Sequence, residues 1–189
     1  MKNPYWHQYE KPHVIDFDEI RDLCIDAYLI VSSSNALSGQ EEEDVSNSLN
    51  RYFFRVAEER LSASLLDIAI RMRVFDDILS SGDDEKVYKK IISDSDGIGN
   101  LIWKDKDGDK NVDLEFREAC NKIIHACDVR PVYDNDGNSR DENFAWGMTG
   151  MVELSGKQGK REWDVWLNVD EFLTVCIDIA NHFLPLSED

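Results

Sequence analysis

The stretch "KREWDVWLNV", residues 160–169, decides how the C-terminal half of the chain is read. Trp163, Val165, Leu167 and Val169 alternate with Asp164, Trp166 and Asn168, the period of two that a strand with one buried face requires. Trp163 and Trp166 therefore point to opposite faces. One belongs to a core, and the other is a contact residue, because exposed tryptophan is enriched at interfaces. Upstream, "FAWGMTGMVELSG" (144–156) has the same extended texture, and Gly156 to Gly159 between the two stretches read as the turn of a hairpin. "RPVYDNDGN" (130–138) offers a strand end and another turn.

Away from this region the periodicity is helical. Residues 16–37 open with acidic side chains and repeat apolar positions at Ile20, Leu23, Ala27 and Ile30. From Glu41 to Leu79 the three-and-four pattern continues through Val45, Leu49, Phe53, Val56, Leu65, Ile68, Met72 and Phe75, with a bend or break expected near Ser62 to Ser64. A short helix is expected over Glu85 to Ile92. The Gly- and Asp-rich residues 93–113 are expected to form a small hairpin or an exposed loop. Asp113 is placed to cap a helix over Leu114 to Cys127, and Asp170 to cap a last helix reaching Leu184, with Phe172, Val175, Ile179 and Phe183 on one face. The N-terminal aromatics Tyr5, Trp6 and Tyr9 read as an arm packed onto the body. The expected fold class is mainly α: one domain over 1–189, a helical bundle with a small antiparallel hairpin or three-stranded sheet inserted at about 129–169, before the last helix.

Composition narrows the function. The 189 residues carry 39 Asp and Glu against 21 Lys and Arg, a formal charge of −18. Nucleic-acid binding requires a basic footprint to release phosphate counterions, so free RNA or DNA is disfavoured as a ligand. An acidic surface instead steers a basic protein toward it. No apolar run is long enough for a membrane span, and the N-terminus lacks the pattern of a secretory signal. Cys24, Cys120, Cys127 and Cys176 have neither a C-x-x-C pair nor zinc spacing, which points to core-filling thiols in a reducing cytoplasm.

Two motifs invite chemistry. Asp–Gly segments recur at 94–97, 105–108 and 134–137, and "DKDGDKNVDLEF" (105–116) places Asp105, Asp107 and Asp109 at the first, third and fifth positions of a calcium loop. Lys110 stands where that loop needs glycine, and Phe116 where it needs a bidentate glutamate, so turn chemistry is the simpler reading. No metal or cofactor is expected. The second motif, "REACNKIIHA" (117–126), sets Arg117, Asn121 and His125 in an i, i+4, i+8 row on the flank and back of an apolar stripe of Phe116, Ala119, Cys120, Ile123, Ile124 and Cys127.

"CNKIIHA", with its arginine upstream on a late helix, resembles the HEPN superfamily of helical RNases and their inactive relatives. That resemblance implies an all-helical bundle. In its active members it implies metal-independent RNA cleavage by arginine and histidine meeting across a homodimer cleft. On this reading His125 is the acid or base, Asn121 its polar companion and Arg117 the cation on the phosphorane. The family places arginine directly before the polar residue, where this chain has Cys120. Arg117 lies roughly 12 Å from His125 along a helix axis. The expectation is therefore a non-enzymatic acidic binding protein of a bacterial conflict system, an immunity protein, antitoxin or phage-defence component, with a basic partner such as a nuclease toxin. The alternative is a homodimeric HEPN ribonuclease using Arg117, Asn121 and His125, with Lys122 and Arg130 lending a basic pocket. A third possibility is a scaffold whose polar row is merely solvated.

Overall fold

The computed structural model describes residues 14–185 apart from 39, 41–46, 80–82, 96, 107 and 135–145. The N-terminal aromatics and most of the third Asp–Gly segment lie outside the described residues. Helix α1 spans Phe17–Ala36, α2 Ser48–Ile78 and α3 Asp83–Ser93; strands β1 (Gly99–Trp103) and β2 (Lys110–Asp113) follow. Next come α4 (Phe116–His125), β3 (Asp128–Asp134), β4 (Gly147–Gln158), β5 (Arg161–Asn168) and α5 (Val169–Phe183).

The architecture corrects the expected bundle. Among the described residues five strands form one antiparallel sheet in the order β2-β1-β5-β4-β3, and two of them precede α4 in sequence, outside the expected insertion at 129–169. The Gly- and Asp-rich stretch is a hairpin, as one of its two readings had it, but β1 also pairs with β5, from Gly99 opposite Leu167 to Trp103 opposite Trp163. That pairing is possible because residue 99 is glycine. Its φ is +149°, and a Cβ there would lie 2.0 Å from the Trp166 carbonyl oxygen. Among the described residues β2 and β3 are left as the two edges of the sheet.

Strand alternation turns the sheet into a two-faced layer. Trp163, Val165 and Leu167 of β5 and Val152 and Leu154 of β4 are buried, whereas Trp166 and Glu162 are exposed and Glu153, Ser155 and Asp164 half-exposed. The buried face meets α1 and α5, which bring Ile20, Ala27, Phe172, Cys176 and Ile179, while α2, packed against α1 and α4, adds Leu61, Leu65, Ile68 and Met72. Each buried Ile, Leu, Phe or Met among them contributes roughly 1.5–3 kcal/mol. The result is a helical layer on one face of an open sheet.

Helix ends differ from expectation in detail. Asp16 caps α1, its carboxylate accepting from the Glu19 N–H at 3.0 Å. α2 runs unbroken through Ser62–Ser64, held there by buried Leu61 and Leu65 on either side. Asp113 lies in β2 and caps nothing; Glu115 is the N-cap of α4 and makes no side-chain cap bond. Asn168, rather than Asp170, caps α5 by accepting from the Glu171 N–H. The other end of α5 is closed from a distance. Buried Arg21 of α1 donates to the carbonyls of Ala180 (2.9 Å) and Leu184 and to the Asn181 side chain (3.1 Å). A helix C-terminus leaves carbonyls unsatisfied, and a guanidinium fork answers several at once.

Candidate functional site

Helix α4 carries the row singled out in the sequence. Its apolar stripe sets the orientation: Phe116, Ala119, Cys120 and Ile123 are buried, Ile124 is half-buried, and Cys127, beyond the helix end, is exposed. The stripe packs on α2 and β4, which leaves Arg117, Asn121 and His125 on the flank.

The row does not converge. Arg117 turns to the C-terminal part of α2, where it forms ion pairs with Asp76 and with Asp77, the latter at 3.2 Å. Asn121 is engaged by the same helix: its Oδ1 accepts from Arg73 Nε at 3.0 Å, and its Nδ2 donates to Glu118 at 3.3 Å. Arg73 in turn pairs with Asp76 at 3.5 Å and with Asp77. Two arginines, two aspartates and an amide thus make a polar seam between α2 and α4. His125 is exposed at a cleft of about 430 Å³ that Asn121 also borders, together with Glu118, Lys122, Lys157 and Trp163, so Asn121 and His125 share a cleft from which Arg117 is absent. Arg117 borders a different cleft, of about 660 Å³, beside Asn100, Asp113 and Ile98.

Asp76 is the keystone of the seam, with 14% of its side chain exposed and one carboxylate oxygen ion-paired with both arginines. Asp76→Ala leaves two guanidinium groups facing each other with less counter-charge. The expected loss is about 2 kcal/mol, read from urea unfolding. Arg117→Ala, at the more exposed end, should cost less.

Lys122 was invisible to sequence reasoning as a core residue. It is 3% exposed, and its ammonium lies 4.2 Å from the ring centre of Trp103 and 4.7 Å from that of Trp163. Glu118 at 3.0 Å and Gln158 at 3.2 Å supply the polar partners a buried cation needs. The i, i+4 spacing of Glu118 and Lys122 was a legible signal; the two indoles, from different strands, were not. Lys122 is therefore spoken for. Arg130, the other proposed contributor to a basic pocket, sits on the opposite face of the sheet paired with Asp128 at 2.5 Å.

Comparison with family models, curated proteins and solved structures gave no match. The chain's own geometry carries the functional reading.

The Asp–Gly loop at 105–109 has charge partners of its own kind. Asp105 accepts from the Lys106 N–H at 2.7 Å and faces Arg161 at 3.6 Å, while Asp109 pairs with Lys104 at 3.1 Å. These carboxylates serve the β1–β2 turn and its neighbours.

The cysteines divide by burial. Cys24, Cys120 and Cys176 are buried, and Cys127 is exposed. Burial pushes the Cys120 thiol up from 9.0 to about 12, against a smaller opposing pull from Arg73. A thiol reagent added to native protein at pH 8 should modify Cys127 rapidly and the other three only after denaturant. The raised Cys120 value also sets a sign. Its contribution to stability is complete below about pH 9 and is lost as pH climbs toward 12, because the unfolded thiol ionises first.

Proposed function

We propose that this chain is a non-enzymatic acidic binding protein whose partner is a basic protein, in the manner of an immunity protein or antitoxin acting in a bacterial cytoplasm. The observation that carries this reading is the closure of the Arg117–Asn121 pair by Asp76, Asp77 and Arg73. A guanidinium whose N–H donors already face two carboxylates, shared with Arg73, is a poor donor to a phosphodiester. His125 is left with two cations at its cleft, Lys122, held by Glu118 and Gln158, and Lys157, paired with Glu162 at 2.7 Å, so neither stands free to stabilise a phosphorane. The formal charge of −18 adds a long-range field that repels nucleic acid and attracts basic protein. No helix among the described residues is long and apolar enough to cross a membrane.

The competing ribonuclease reading rests on the exposure of His125 at its cleft. The two separate in one assay. Purified protein incubated with total RNA in chelator should leave the RNA intact, for wild type and His125→Ala alike. Cleavage by the wild type that the variant loses would overturn the binding-protein reading. Co-expression with toxic basic proteins encoded beside its gene should restore growth for one of them, and failure with all of them would count against an immunity role.

A further inference from the structure

The sheet has a second face that no described helix covers. Strand register places Asn100, Trp166, Glu153 and Arg130 in one line across β1, β5, β4 and β3, with Ile102, Asp164, Ser155 and Asp128 in the next. At the centre lies a depression of about 260 Å³ bordered by Asp128, Arg130, Glu153, Ser155, Asp164 and Trp166. Trp166 is 39% exposed, a large indole on a strand whose inward neighbours are fully buried.

The charges around that indole are unequal. Three carboxylates meet one guanidinium on the rim. Asp128 is satisfied by Arg130 at 2.5 Å, and Asp164 by Lys104 at 2.9 Å. The side chain of Glu153, directly beside Trp166 in the register, has no ion pair or hydrogen bond among the described residues. An indole face next to an uncommitted carboxylate is the pairing that holds a guanidinium: the ring stacks against its plane while the carboxylate takes its N–H fork.

We infer that the Trp166–Glu153 depression is the docking point for an exposed arginine of the basic partner. This inference rests on the binding-protein reading above and gives that partner a place on the fold. Arginine fits better than lysine because the site offers a flat π surface and a two-oxygen acceptor side by side. The surrounding negative field speeds encounter, and the central aromatic supplies the contact that resists dissociation.

The probe is a hexa-arginine amide peptide, titrated at physiological salt into the full chain and into Glu153→Gln, Trp166→Ala and Asp178→Asn. Asp178 is an exposed acid on α5, so its variant removes the same single charge as Glu153→Gln from a different place. The Trp166 indole N–H resonance, assigned with Trp166→Phe, reports local contact. Binding should shift that resonance, and the dissociation constant should rise roughly tenfold for Glu153→Gln and Trp166→Ala while Asp178→Asn stays near wild type. Circular dichroism checks that the variants are folded, and Glu153→Gln changes no volume. Equal weakening by Glu153→Gln and Asp178→Asn, or an unmoved indole resonance, would overturn this docking point while leaving a basic partner in place. No binding of hexa-arginine to wild type would overturn both.

Discussion

Trp163→Ala should lower unfolding free energy by about 3–5 kcal/mol, the range for deleting a large aromatic from a packed core. For a chain of this size that is on the order of 10 °C in Tm. Two neighbours depend on the ring. It is 1% exposed, it underlies the Lys122 ammonium at 4.7 Å, and it packs so closely on β4 that a Cβ on Gly156 would lie 2.3 Å from its edge. Removing it opens a cavity and also withdraws one of the two indoles that make a buried lysine tolerable. Trp163→Ala with Lys122→Met should recover part of the loss, because the second change removes the charge that the first left exposed to an empty space. Chemical denaturation of the two single variants and the double variant measures that coupling. Strict additivity would mean that the cation–π contact contributes nothing.

The second large effect is expected at Gly99. Gly99→Ala should cost at least about 3 kcal/mol, combining backbone strain at positive φ with overpacking, each typically 1–3 kcal/mol. The clash is with backbone, the Trp166 carbonyl oxygen, so no side chain can swing aside. β1 would have to withdraw from β5, and the β1–β2 hairpin would go with it. Gly159 is the internal control. It also has positive φ, +65°, but nothing lies within 4 Å of the added methyl. Gly159→Ala should cost only about 1 kcal/mol, the left-handed penalty alone. Amide hydrogen exchange should show protection lost along β1 in the Gly99 variant and retained in the Gly159 variant.

How far the sequence could be read follows from where its information is local. The strand at 161–168 was legible because its period of two is unambiguous, and Trp163 and Trp166 fell on opposite faces as that period demands. Helix α1 was legible to within a residue for a similar reason, with Asp16 announcing its start. The sheet's extent was not legible. β1 has only five residues, with Leu101 alone fully buried, and its membership depends on pairing with a strand some sixty positions later. The Arg117–Asn121–His125 row was correctly placed on a helix flank, but spacing along α4 says nothing about what faces it. Arg73, Asp76 and Asp77 come from a helix forty residues upstream, and they engage two members of the row while the third has only the cleft that Asn121 also borders. Lys122 was hidden because its partners Trp103 and Trp163 belong to two further strands.

The open sheet raises one more matter, that of association between strands of different molecules. An uncovered strand edge offers unpaired N–H and C=O groups to any extended segment that drifts past. Here β2 is only four residues long and carries exposed Lys110 and Asp113, while β3 includes Pro131, which has no N–H to give, and shifts register just after it. Tyr133 of β3 is further tied to Glu58 of α2 by a 2.8 Å hydrogen bond. Both borders are thus poor templates for fibril growth or strand exchange, so the uncovered face of the sheet stays open without its edges recruiting further strands.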